Sequence, residues 1–221
     1  MTTDLDAHST DRRPFERLAA AARRVAAFKL SLCSSGNLSC RLDARQMLIK
    51  ASGAWMSDLT EEKVALCRIE DGASLNGLKP SVEIGFHRGI LARRPDINVV
   101  LHFQSPCATT LCCREPRVTN FNVTSEIPFY VGSVAWVSYI LPGSKALAEA
   151  VIEALSGHNL AMLANHGQVT VGKDYEQAIQ RAVFFEMACA ILVRNSNAIR
   201  PLTPEAAAEL GALGAGKGFG V

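Results

Sequence analysis

The residues best suited to chemistry in this chain are one carboxylate and two imidazoles. Glu83 follows Lys79-Pro80-Ser81-Val82, where a helical run begins. His102 lies near the end of the apolar run Ile97 to Phe103, two residues before Gln104. Side chains at i and i+2 of a strand share a face, so His102 and Gln104 should project together where Pro106 stops the strand. His166 stands between Asn165 and Gly167 at a break between two apolar runs, a position from which a neutral imidazole can turn into a cleft as a metal ligand. A carboxylate beside such a set can move protons. Each residue also has an ordinary alternative. Ser81 reads as an N-cap that places Glu83 in the first helical turn, where it complements the helix dipole. A histidine in an apolar strand is commonly a hydrogen-bonded core residue. His87, four residues after Glu83, reads as a structural partner on the same helical face.

Two small-residue turns could supply a second function. Ser34-Ser35-Gly36-Asn37 precedes a short alternating strand, Leu38 to Leu42. Ala51-Ser52-Gly53 follows another, Gln46 to Lys50. Either can be a plain tight turn. Either can also aim successive backbone N–H groups at an anion, and two such turns at neighbouring strand ends would double the donors available to a phosphate.

The elements that must position these residues follow from spacing. Phe15, Leu18, Ala22, Val25 and Phe28 recur at helical intervals after Pro14. Thr60-Glu61-Glu62 resembles a helix start, with a strand over Val64 to Glu70. A helix runs from Ser81 to Pro95, a buried strand over Ile97–Phe103 and a short helix over Pro106–Cys113, with Cys112-Cys113 as packing. Arg117 to Ile140 is rich in β-branched and aromatic residues and reads as two or three strands, leaving Glu126 in search of a partner. Ser144 caps a helix over Lys145–Leu155; Asn159–Ala164 and Val169–Gly172 are strands; Asp174 caps a long helix to Arg194; Thr203-Pro204-Glu205 starts a last one. The expected organisation is a flexible N-terminus over 1–13, one domain over 14–210 and a Gly-rich tail over 211–221.

Bulk properties bound the function. The 221 residues are 48% apolar with a net charge of +2, which argues against a nucleic-acid protein driven by gross charge. Seven cysteines without C-x-x-C spacing suggest reduced thiols. No leader pattern and no apolar run of about 18–20 residues is visible, so a cytoplasmic protein with no membrane partner is expected.

Five segments together resemble the class II aldolase/adducin family in order and spacing: Gly36-Asn37-Leu38-Ser39, Ser52-Gly53, Pro80-Ser81-Val82-Glu83, His102-Phe103-Gln104-Ser105-Pro106 and Asn165-His166-Gly167. The resemblance covers residues 14–195, and among well-known members the chain looks most like the fuculose-phosphate aldolases. It implies an α/β fold, a three-layer α/β/α sandwich around a largely antiparallel central sheet, in a homotetramer with sites between subunits. It implies that Gly36, Asn37, Ser52, Gly53 and Ser81 hold a sugar phosphate and that Glu83 is the acid/base. The family metal is held by His-x-His and a later His, matched here by His102, Gln104 and His166. Zinc is the expected ion. The amide at 104 leaves three arrangements open: Gln104 ligates through oxygen and favours Mn²⁺, Fe²⁺ or Co²⁺; a carboxylate such as Glu83 completes a zinc site; or the site is metal-poor. The chemistry implied is retro-aldol cleavage of a ketose 1-phosphate through an enediolate. Decarboxylation of a 3-oxo sugar-acid phosphate and a non-catalytic adducin-like module are the alternatives. The proton-donating tyrosine of family aldolases has no clear match among Tyr130, Tyr139 and Tyr175.

Overall fold

The computed structural model describes residues 12–195 and 198–220. Residues 1–11, most of the expected flexible N-terminus, lie outside the described residues. Helix α1 (Arg13–Ala27) buries Phe15, Leu18, Ala22 and Val25 on one face. Phe28, expected to continue that face, lies past the helix end and is exposed. Strands β1 (Asn37–Arg41), β2 (Gln46–Lys50) and β3 (Val64–Arg68) form an antiparallel meander. The expected helix after Thr60 is a single 3₁₀ turn, Glu61–Lys63, which feeds directly into β3.

Helix α2 (Ile84–Arg93) leads to β4 (Val99–Phe103), and α3 (Pro106–Cys112) follows. All five residues of β4 are buried because the strand is central and covered on both faces. Strand β5 (Val134–Val137), helix α4 (Lys145–Ala154), strands β6 (Leu160–Leu163) and β7 (Gly167–Gly172), and helices α5 (Tyr175–Arg194) and α6 (Pro204–Gly216) complete the chain. Side-chain caps hold three of these helices: Ser144 Oγ accepts from Leu147 N, Asp174 Oδ1 from Gln177 N and Thr203 Oγ1 from Ala206 N.

The seven strands lie in the order β3-β2-β1-β4-β7-β6-β5. Every pairing is antiparallel except β5 with β6. Alternation divides the core. Met47, Ile49, Val100, Val169 and Val171 face α2 and α4 through Phe86, Ile90, Leu147 and Val151. Leu38, Leu48, Leu101 and Phe103 face α1, α3 and α5 through Leu18, Val25, Leu111 and Phe185. This is the expected three-layer α/β/α sandwich.

Two expectations change. Between Arg117 and Ile140 there is one strand, β5, and a π-helical turn, Ile127–Val131, instead of two or three strands. The apolar residues there are used differently: Phe121 packs on Phe185 with ring centroids 5.0 Å apart, and Trp136 Nε1 donates to Val118 O. The Gly-rich stretch from Gly211 begins inside α6, and the residues after it fold back onto the sandwich. Arg181, buried on α5, donates to the carbonyls of Tyr130, Val171 and Phe219, while Phe219 packs on Phe129 and Tyr130. Of the paired cysteines, Cys112 is buried and Cys113 exposed. No helix of the described residues is long and apolar enough to cross a membrane.

Candidate active site

The sheet brings the distant motifs to one end. Asn37 at the start of β1 pairs with His102 on β4, and His102 pairs with Val169 on β7. Asn165 adopts a left-handed conformation (φ 54°), and the turn it makes carries His166 onto the same site. Gly36 and Gly167 allow close approach here. A Cβ on Gly36 (φ +68°) would lie 2.7 Å from His102 O, and one on Gly167 2.7 Å from Phe103 O and Gln104 Cγ.

Glu83, His102 and His166 converge, with ligand atoms all within 4.8 Å of one another. Glu83 Oε2 is 3.4 Å from His102 Nε2, and Glu83 Oε1 is 3.5 Å from His166 Nε2. Glu83 is only 6% exposed. It sits at the N-cap position of α2, one residue before the first turn, so Ser81 is not the cap. Ser81 Oγ instead accepts from Glu83 N at 3.3 Å.

Hydrogen bonds assign the protons. His102 Nδ1 donates to Gln168 O at 2.9 Å, which leaves the Nε2 lone pair facing Glu83. Behind the carboxylate runs a relay. Ser39 Oγ donates to His87 Nδ1 at 2.7 Å, and His87 Nε2 donates to Asn37 Oδ1. Asn37 Nδ2 then donates to both Ser81 Oγ and Glu83 Oε2, each at 3.0 Å. Burial, helped by His102, holds the His87 pKa well below the ordinary value, so the ring stays neutral and can both accept and donate. Burial and His102 also lower the His166 pKa against the opposing pull of Glu83, favouring the neutral, ligating imidazole.

The donor set fits a divalent cation. The His102 lone pair faces a carboxylate oxygen, an arrangement that a shared cation satisfies. Glu83 Oε1 and His166 Nδ1 are buried without hydrogen-bond partners. Two ligand atoms at tetrahedral angles, each about 2.0–2.1 Å from zinc, stand about 3.4 Å apart, close to the spacings seen here. Gln104 is engaged with the backbone beside this cluster. Its Nε2 donates to His166 O at 3.0 Å, tying down the loop that carries His166.

The two small-residue turns flank this cluster. Ala51 bridges to Pro80, and Ser52 N donates to Lys79 O at 2.9 Å, which sets the Ser52-Gly53 turn beside Ser81. An open cavity of about 600 Å³ lies against that turn, lined also by Trp55, Asp58 and Lys63. Lys50, absent from the sequence-based site, is buried between the turns. Its Nζ donates to Ser34 O at 3.2 Å and Ala54 O at 2.6 Å. The available signal was its place at the end of Met47-Leu48-Ile49-Lys50, a fully buried run that leads straight into a small-residue turn.

Residues 16–193 match the model of the class II aldolase and adducin N-terminal domain. The chain belongs to the class II aldolase/adducin family. It is similar to the 3-oxo-tetronate 4-phosphate decarboxylase of Pectobacterium atrosepticum, 32% identical over 80% of this chain and 83% of that one. It is also similar to the L-fuculose phosphate aldolase of Methanococcus maripaludis, 32% identical over 74% of this chain and 87% of the other. Among solved structures, Escherichia coli YgbL superposes with a TM-score of 0.83 at 27% identity, covering 90% of this chain and 98% of its own.

Proposed function

We propose that this protein is a metal-dependent decarboxylase of a 3-oxo sugar-acid phosphate. The observation that carries the reading is the Glu83–His102–His166 cluster, with one carboxylate oxygen left free of hydrogen bonds. The choice of decarboxylation over aldol cleavage is supported by the decarboxylase named among its relatives. It is also supported by the tyrosines. Aldol cleavage releases an alkoxide that must be protonated, whereas decarboxylation releases neutral CO₂. Tyr175 lies after β7 at the other end of the sheet with its hydroxyl beside Cys40, Tyr130 is packed between Phe184 and Phe219, and Tyr139 is exposed.

His102, His166 and Glu83 would hold the ion, with zinc the best match to two imidazoles and a carboxylate and Mn²⁺, Fe²⁺ or Co²⁺ also suited. Bound there, a divalent ion supplies Lewis acidity towards the negative charge that develops on the 3-oxo oxygen. The Gly36-Asn37 and Ser52-Gly53 turns, with Ser81, bind the phosphate and fix the substrate, which lowers the entropic part of the barrier. Asn37 does so through its backbone turn, because its amide group is committed to Glu83 and Ser81. The carbon–carbon bond electrons pass into the oxo group as CO₂ leaves, giving an enediolate. A proton taken up from water and passed on by the Glu83 carboxylate completes the carbon that lost CO₂. Gln104 acts by holding the His166 loop.

Product analysis tests the reading. Metal-loaded protein given 3-oxo-tetronate 4-phosphate should release CO₂, and given L-fuculose 1-phosphate should form little aldehyde. Preferred aldehyde formation would assign it to the aldolases instead.

A further inference from the structure

Two fully buried polar residues, Ser39 and His87, lie behind Glu83 without belonging to the cluster of candidate ligands. Asn37 and Ser39 stand two residues apart on β1 and so share a face of the sheet. His87 enters between them from α2, with one ring nitrogen on each. Phe86 stacks on the His87 ring with centroids 4.7 Å apart, which fixes the plane of the imidazole. Two proton assignments can run through this chain. In one, Ser39 Oγ donates to His87 Nδ1 and His87 Nε2 donates to Asn37 Oδ1, so the Asn37 amide nitrogen faces Ser81 Oγ and Glu83 Oε2. In the other, His87 Nδ1 donates to Ser39 Oγ and the Asn37 amide is turned end for end. Asn37 Oδ1 would then face Glu83 Oε2, two acceptors opposed in a buried site, at the cost of a hydrogen bond to a charged group. Only the first assignment satisfies the carboxylate. It also holds that carboxylate by one oxygen, Oε2, while Oε1 keeps no hydrogen-bond partner.

We infer that His87, set in one tautomer by Ser39, is a positioning residue for the metal site: it fixes the Asn37 amide so that Glu83 is anchored through Oε2 and presents Oε1 to the ion. This rests on the reading of Glu83 as a ligand under Proposed function. His87 and Ser39 touch neither substrate nor ion and transfer no proton.

Zinc affinity of the full chain, read by competition against a chromophoric chelator, tests it. His87→Leu removes the donor to Asn37 Oδ1 and should weaken zinc binding about 10–100-fold. His87→Gln keeps an N–H donor there and should recover most of that loss, a rescue that general loosening of the helix would not produce. Ser39→Ala leaves His87 Nδ1 without its donor and should weaken binding in the same direction by about threefold or more, so it decides the matter if the leucine variant fails to fold. Ile90→Val thins the core under the same helix without touching the hydrogen bonds, and its zinc affinity should stay at the wild-type value. Affinity within twofold of wild type in folded His87→Leu or in Ser39→Ala would overturn the inference. So would a loss in His87→Gln equal to that in His87→Leu, or an equal loss in Ile90→Val. Wild-type protein that takes up no zinc would sink the metal reading together with it. The expected series of affinities in a protein that releases no CO₂ would uphold the role of His87 and sink the decarboxylase reading alone.

Discussion

At position 104 the two ends of one amide carry opposite chemistry, and the structure uses the nitrogen end. Gln104 Nε2 donates to His166 O, while a Glu83 oxygen lies with His102 and His166 nitrogens in one cluster suited to a divalent ion. Gln104→Glu separates this arrangement from direct ligation. A carboxylate is a stronger ligand than an amide oxygen, so if position 104 ligated, zinc affinity would rise. If the residue holds the His166 loop, the variant sets two acceptors face to face, and zinc affinity should fall about 10–100-fold. Competition against a chromophoric chelator reads the sign directly. At this scale the sequence was informative about Glu83, His102 and His166, because each residue type implies its chemistry. It pointed to the Asn37 turn but not to the bonds of its side chain, and it did not point to Lys50. Asn37 reads as a turn residue, and its partners Ser81 and Glu83 lie 44 and 46 positions away. Lys50 reads as an ordinary charged strand end, because its burial is created by two turns folding over it.

Among the elements, the pairing of β1 with β4 matters most. It sets Asn37 opposite His102 and so fixes the distance between the carboxylate relay and the candidate ligand His102. Gly36 makes that pairing possible. Gly36→Ala would place a methyl group 2.7 Å from His102 O at a φ of +68°. The expected cost is about 2 kcal/mol or more of stability, with a loss of metal affinity as β1 moves away from β4. Thermal unfolding with and without zinc checks both effects; an unchanged midpoint would show that the turn relaxes freely. Element type was legible wherever periodicity was strong, as in α1, α4, α5 and β4, and where a cap residue marked the start, as at Ser144 and Asp174. It was less legible over 117–140. β-branched and aromatic residues there satisfy strand propensity locally, yet tertiary packing spends Phe121 on a loop against Phe185, and Trp136 on β5 ties that loop down through Val118 O.

For the molecule as a whole, the buried histidines tie stability to pH. The folded state holds His87 neutral, with its pKa well below the ordinary value, whereas unfolded His87 titrates near 6.5. Below about pH 6.5 the unfolded state therefore binds a proton that the folded state does not, and stability falls as pH falls. His166 adds to this in the metal-free protein, because its pKa is shifted the same way. Urea unfolding between pH 7 and pH 5 should show the decline, and His87→Gln should remove up to about 1.4 kcal/mol per pH unit of its slope. An identical slope in the variant would mean that His87 titrates alike in both states. The sandwich architecture was legible from the family resemblance more than from any single element, since sheet order depends on pairings between strands far apart in sequence.

The central claim is that this cluster removes CO₂ from a 3-oxo sugar-acid phosphate. The most direct measurement is CO₂ released per substrate consumed by the zinc-loaded protein acting on 3-oxo-tetronate 4-phosphate. The account predicts one CO₂ per substrate, loss of activity on chelation, recovery on restoring the metal, and a decrease of about 100-fold or more in Glu83→Gln. Substrate turnover without CO₂, or CO₂ release that survives both chelation and Glu83→Gln, would contradict it.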